Sequence, residues 1–122
     1  MQNLEHGNFT LRACEGIGAF TPAEWSRLTD TSRDRPGYNP FISHDFLSSL
    51  EDSGCVATRA GWLPLFLRLE DECGVLVGAV PCYLKSHSQG EYVFDHGWAD
   101  AFERAGGRYY PKLQASIPFT PV

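Results

Sequence analysis

Two strand-like segments joined by a short polar turn constrain the fold of this chain more than any other feature. Residues 64–70 read PLFLRLE, in which leucine occupies every second position, and this alternation is typical of a strand. Residues 75–85 are apolar at nearly every position through Leu84, which is typical of a strand covered on both faces. Because only residues 71–74 separate the two segments, the sequence predicts an antiparallel hairpin with its second strand central in a sheet.

Capping signals predict two helices ahead of this hairpin. Thr21 is followed by a proline at the first helical position and by Glu24 at the third, which predicts a helix start with a capping box. Either Asn39 or Ser43 caps the second helix, whose leucines and phenylalanine recur on one face. Gly54 ends that helix, since glycine readily adopts the left-handed conformation of a C-terminal cap.

The remaining segments complete an α+β order. Residues 9–13 alternate as a first strand, and residues 98–105 carry apolar side chains three and four apart, as in a short helix. Residues 109–119 resume strand character but contain prolines, which confines that strand to an edge or marks a bulge. We therefore expect one domain over residues 1–122, with helices packed on a mainly antiparallel sheet.

Charge and composition narrow the function classes. The chain is 43% hydrophobic, which is ample for a core, and its net charge is −5. A basic face for nucleic acid or for an anionic membrane is therefore not expected. No apolar run approaches the roughly 20 residues needed to cross a bilayer, and the N-terminus lacks the layout of a signal peptide. The sequence thus predicts a cytoplasmic protein.

Motifs for metal and nucleotide chemistry are missing from the sequence. The four cysteines are widely spaced and form no CxxC pair, so neither a zinc site nor a redox site is expected. His87 and His96 have no third ligand at a convincing spacing, and we predict that no metal is bound. The chain also contains no GxSxG, Walker or GxGxxG motif.

The sharpest candidate for catalysis is the pair Asp95 and His96. A carboxylate near an imidazole raises the imidazole pKa and fixes its tautomer, as a general base requires. Adjacent residues on a strand point to opposite faces, however, so the two side chains need not pair. The alternative is structural, with Asp95 capping the helix that follows and His96 lying in a loop.

Four further residues are candidates for substrate binding. Lys85 and His87 follow the apolar strand, where functional groups often lie, and they could hold an anionic substrate or a tetrahedral oxyanion. Tyr109, Tyr110 and Lys112 surround Pro111, and a tyrosine hydroxyl near a lysine could act as an acid or position a substrate. The alternatives are a solvated loop and an amphipathic edge strand.

Three segments carry a family resemblance. Residues 39–47 (NPFISHDFL), 83–95 (YLKSHSQGEYVFD) and 105–113 (AGGRYYPKL) resemble a bacterial family of predicted N-acyltransferases. These are described as FemAB-like, or as peptidoglycan biosynthesis/recognition proteins, within the GNAT superfamily. The resemblance runs from about residue 9 to the end of the chain.

The resemblance implies a GNAT-like half-domain, with a mixed sheet and helices on both faces. It implies transfer of an acyl or aminoacyl group to the amine of a small molecule or peptide. The donor would be an acyl-CoA or an aminoacyl-tRNA, and the latter would be the only nucleic acid involved. The resemblance also implies that these residues are the N-terminal part of a longer protein whose donor site follows them.

Three expectations about these 122 residues follow from that resemblance. The 122 residues alone should bind no donor and should not catalyse acyl transfer. An exposed strand edge should favour self-association. The alternative to an enzyme is a non-catalytic recognition module that binds a cell-wall peptide or a protein partner.

Overall fold

The computed structural model describes residues 7–29, 36–87 and 95–115, and within them the fold is α+β. The helices and strands in chain order are β1 (Thr10–Cys14), α1 (Pro22–Thr29), α2 (His44–Asp52), β2 (Trp62–Pro64), β3 (Phe66–Glu70), β4 (Leu76–Val80), β5 (Cys82–Lys85), α3 (His96–Arg104) and β6 (Lys112–Ala115). The strands form two small antiparallel sheets, in the orders β1-β3-β4 and β2-β5-β6. The α+β class is thus confirmed, whereas the expectation of one sheet is corrected to two.

The predicted hairpin is present, but it is shared between the two sheets. Its strands stay in one register, with Trp62 opposite Lys85 at the base and Leu67 opposite Val80 nearer the turn. The ladder is interrupted at Pro81, which has no N–H to donate, so β4 and β5 are separate strands. The prediction of one long central strand is therefore half wrong: β5 is central in its sheet, whereas β4 lies at the edge of the other among the described strands.

Local capping explains where α1 and α2 begin. Thr21 and Glu24 form the predicted capping box, in which each side chain accepts the other's backbone N–H at 3.2 Å and 2.7 Å. Ser43 caps α2, while Asn39 caps a short 3₁₀ turn just before it, so both proposed caps are used. Gly54 follows α2 with φ of 78°, the left-handed conformation that was predicted.

The C-terminal elements differ most from the sequence prediction. Helix α3 begins at His96, two residues earlier than predicted, and its Trp98 is 76% exposed. Strand β6 covers only Lys112–Ala115; residues 109–111 of the predicted strand are not in a strand, and residues 116–119 lie outside the described residues. Leu113 points outward and is 51% exposed, while its neighbours on the strand are half-buried. The large apolar side chains Trp98, Phe102 and Leu113 therefore lie on the surface of the described structure, whereas the small Ala99 of α3 is buried.

The core is aromatic and lies around the hairpin. Phe66 of β3 is fully buried, and its ring centre is 5.6 Å from that of Tyr83, 6.0 Å from Trp25 and 6.2 Å from Phe20. Tyr83 in turn contacts Trp62 edge-on at 5.5 Å. This packing fixes the inner face of β5, from which Tyr83 and Lys85 project.

None of the helices in the described part of the chain combines the length and the apolarity needed to cross a bilayer.

Candidate functional site

The carboxylate of Asp95 is the centre of a polar cluster that joins α3 to β6. The hydroxyl of Tyr110 donates to Asp95 Oδ1 at 2.6 Å, and that of Tyr109 donates to Oδ2 at 2.8 Å. The ammonium of Lys112 also donates to Oδ2 and forms an ion pair there. We call these four residues the Asp95 cluster. Asp95 occupies the N-cap position of α3, but its side chain makes no capping hydrogen bond, so the predicted structural alternative is wrong in that respect.

The electrostatics of the Asp95 cluster keep its donors protonated. The hydrogen bond to Asp95 is the main cause that raises the pKa of the Tyr109 hydroxyl. Partial burial would lower the pKa of Lys112, but the hydrogen bond and the negative charge of Asp95 outweigh burial and raise it. Lys112 is therefore a cation at neutral pH and cannot serve there as a general base.

The Lys112 ammonium retains capacity for a further ligand. An ammonium has three N–H donors; Asp95 accepts one of them, and the Tyr109 hydroxyl interacts with the ammonium as well. Its nitrogen lies 5.3 Å from the ring centre of Tyr109 and 5.8 Å from that of Tyr110. Its side chain is 24% exposed, so an anionic oxygen could approach it from solvent. The arrangement can orient a cation toward a negative charge on a bound molecule.

Lys85 lies beside this cluster on the neighbouring strand. The register of the sheet places Lys85 opposite Lys112 on one side and opposite Trp62 on the other. Lys85 is fully buried, and its ammonium lies 3.7 Å from the centre of the Trp62 ring, within the range of a cation–π interaction. The sequence predicted Lys85 and Lys112 as substrate-binding residues, and the fold brings them into one row.

Comparison with known proteins connects this geometry to a family. The family model for FemAB-like proteins, described as peptidoglycan biosynthesis/recognition, matches residues 16–122. The chain belongs to the FemAB-like family. No curated protein and no solved structure matches it. The resemblance noted in the sequence is thus confirmed, and membership implies a role in peptidoglycan biosynthesis or recognition.

The two predicted histidines of this FemAB-like chain lie outside the set of hydrogen bonds just described. His96 is the first residue of α3 and is exposed, while both oxygens of its neighbour Asp95 accept hydrogen bonds from the tyrosines. His87 lies over Gly61, where a Cβ atom would collide with the imidazole ring. Gly61 has φ of 77°, so glycine is favoured there for the backbone as well. The catalytic and binding roles of the histidines stay predictions.

Sequence reasoning missed one acidic residue of the FemAB-like fold. Glu51 of α2 borders a surface cavity of about 490 Å³. Its Oε2 accepts the backbone N–H of Ile17 at 2.8 Å, and burial is the main cause that raises its pKa. The sequence does contain a sign of this position: Glu51 follows Leu47 by four residues, which places the acid on the side of the helix that faces the core.

Proposed function

We propose that this FemAB-like protein transfers an acyl or aminoacyl group to an amine of a peptidoglycan precursor. The donor would be an acyl-CoA or an aminoacyl-tRNA, both of which present an activated carbonyl. Family membership supports the pathway, and the single structural observation that carries the chemistry is the Lys112 ammonium oriented by Asp95. The placement in the GNAT superfamily is part of the same proposal.

Attack of an amine on an ester or thioester builds negative charge on the carbonyl oxygen. A preorganised cation is well suited to that charge, because it needs no reorganisation when the charge develops. Lys112 has N–H donors to offer, and Asp95 with the two tyrosines holds it in place. Asp95 is therefore a positioning residue in this proposal.

As the new amide bond forms, the bond to the CoA sulfur or the tRNA oxygen breaks; the amine loses a proton and the leaving thiol or hydroxyl takes one up. His96 is the candidate base, since it is exposed next to the Asp95 cluster and histidine is the side chain that most often serves as a general base. Lys85 and His87 are the other proposed substrate-binding residues, and Lys85 is fully buried beside Lys112. The sequence offers no Gly-rich phosphate loop for an acyl-CoA, so we expect the 122 residues alone to show no turnover.

The test measures transfer of radiolabelled acetyl-CoA and of a labelled aminoacyl-tRNA to a muropeptide that carries a free amine. The assay is run on the 122-residue chain and, where the gene encodes a longer product, on that product as well. The change Lys112→Met should lower kcat by about a hundredfold and leave KM nearly unchanged, as expected for a lost oxyanion donor. The matched control is Arg108→Met, which removes an exposed cation from the segment between α3 and β6. Equal kcat in the wild type and Lys112→Met would refute the role of Lys112.

A second function is favoured by the family description itself, which names recognition beside biosynthesis. In that case the chain binds a cell-wall peptide and performs no chemistry. Muropeptide binding without transfer from either donor, in every form of the protein assayed, would establish this alternative. Turnover by the 122-residue chain alone would contradict the expectation that the donor site lies elsewhere.

A further inference from the structure

A second polar site lies around Glu51, on different elements from the Asp95 cluster. The cavity there is bordered by the end of β1, by the 3₁₀ turn at Ile17–Ala19 and by α2. Its walls are small side chains and backbone, and the acids at its border are Glu15 and Glu51. A molecule that enters it would meet the Glu51 carboxylate with few bulky side chains in the way.

Only one oxygen of the Glu51 carboxylate is used by the protein. Oε2 accepts the Ile17 N–H, whereas Oε1 receives no hydrogen bond from any described residue. A carboxylate can accept about four hydrogen bonds, so most of its capacity is open.

The backbone at residue 16 lies close against the Glu51 carboxylate. A Cβ atom at residue 16 would collide with Glu51 Oε1, and Gly16 has φ of 139°, which L side chains rarely adopt. Gly16 therefore allows the carboxylate to lie against the main chain. Any larger residue would move Oε1 from its present position.

We infer that this cavity binds a primary ammonium group through Glu51 Oε1. A guanidinium prefers both oxygens of a carboxylate, and here Oε2 is already taken, so a compact point charge with rotatable N–H donors fits better. A divalent metal is disfavoured, because the described residues hold no group of three or more His, Cys, Asp or Glu side chains able to bind one. Identifying the ligand as the acceptor amine rests on the proposed function, but the binding itself does not.

The experiment titrates n-butylammonium chloride into the purified, ¹⁵N-labelled protein and follows backbone amide shifts. The wild type should show shifts centred on Gly16 and Ile17. The change Glu51→Gln keeps an oxygen for the Ile17 N–H and removes the charge, so affinity should fall by about tenfold or more while folding is retained. Glu15→Gln is the matched control at the border of the same cavity, and its affinity should stay within about twofold.

Two further readouts separate this inference from a structural role for Glu51. Tetramethylammonium, which has no N–H, should bind more weakly than n-butylammonium. Binding should also weaken as the pH falls through the raised pKa of Glu51. The groups that titrate around it are Asp52 and His44 on α2, Glu15 at the cavity border and Tyr83 on β5, and Glu51→Gln should remove the pH dependence despite them.

Equal affinity in the wild type and Glu51→Gln, or shifts confined to other parts of the chain, would overturn the inference. No acyl donor is present in this titration. Retained binding with no transfer would therefore refute the proposed function alone, and transfer with no effect of Glu51→Gln on amine binding would refute this inference alone.

Discussion

Replacing Asp95 with alanine should destabilise the fold by about 2–3 kcal/mol. Exposed ion pairs contribute roughly 0–1 kcal/mol, and removing one partner of a buried pair costs about 3–5 kcal/mol. The Asp95 and Lys112 side chains are 13% and 24% exposed, so this pair falls between those limits. The two tyrosine hydroxyls also lose their acceptor, although partial exposure lets water replace it.

The measurement is urea unfolding followed by tryptophan fluorescence on a double-mutant cycle of Asp95→Ala and Lys112→Met. The two changes should couple by about 1–2 kcal/mol, since each removes the same ion pair. The control is Asp100→Ala, an exposed acid on α3, which should change the free energy of unfolding by less than about 0.5 kcal/mol. Effects of the two changes that add within about 0.5 kcal/mol would show that the ion pair contributes nothing and would refute the reasoning.

Three further predictions concern pH and association. Because the pKa values of Lys112 and Tyr109 are raised in the fold, the folded state holds these protons more tightly than the unfolded state does. The free energy of unfolding, measured in urea, should therefore fall above about pH 10, and this fall should be smaller in Lys112→Met. A larger fall in the variant would contradict this. The hydrogen bond from Arg68 lowers the pKa of Glu24 to about 2, so its stabilisation is present above the unfolded value near 4.5 and is lost as the pH falls toward 2. Acid unfolding followed by circular dichroism should show that limb in the wild type but not in Glu24→Gln. Strand β6 ends its sheet in the described part and exposes Leu113, so we expect self-association that Leu113→Lys reduces. Size-exclusion chromatography showing a wild-type monomer at high concentration would argue against it.

Local signals were read correctly from the sequence, whereas contacts between distant segments were not. The capping box of Thr21 and Glu24 and the turn after β3 depend on residues within a few positions of each other, and both are present. The Asp95 cluster joins residues up to 17 positions apart. Residue types alone marked Asp95, Tyr109 and Lys112 as polar candidates, but the contact of the Lys112 ammonium with the Asp95 carboxylate is visible only in the fold.

Two misreadings have one physical cause. Periodicity shows that an element has two faces, but it does not show which face finds a partner. Leu113 therefore lies on the outer face of β6, and Trp98 is exposed on α3. Glu51 illustrates the converse, because a charged residue usually lies on a solvated face, yet it follows Leu47 onto the side that faces the core.

The hairpin keeps one register from Trp62 to Leu69, before a shift at Glu70, and this has a consequence for how the chain can tolerate insertions. Side chains on a strand alternate with a period of two, so one added residue turns every later side chain to the opposite face. An extra residue in the turn between β3 and β4 would be absorbed by the loop. One added at Leu65 would expose either Trp62 or Phe66, because both belong to a single continuous strand pairing. The continuous pairing thus keeps the inward-facing side chains of the two sheets on the same face of the hairpin. Insertions and deletions should therefore be tolerated in the turn between β3 and β4 but not near Leu65.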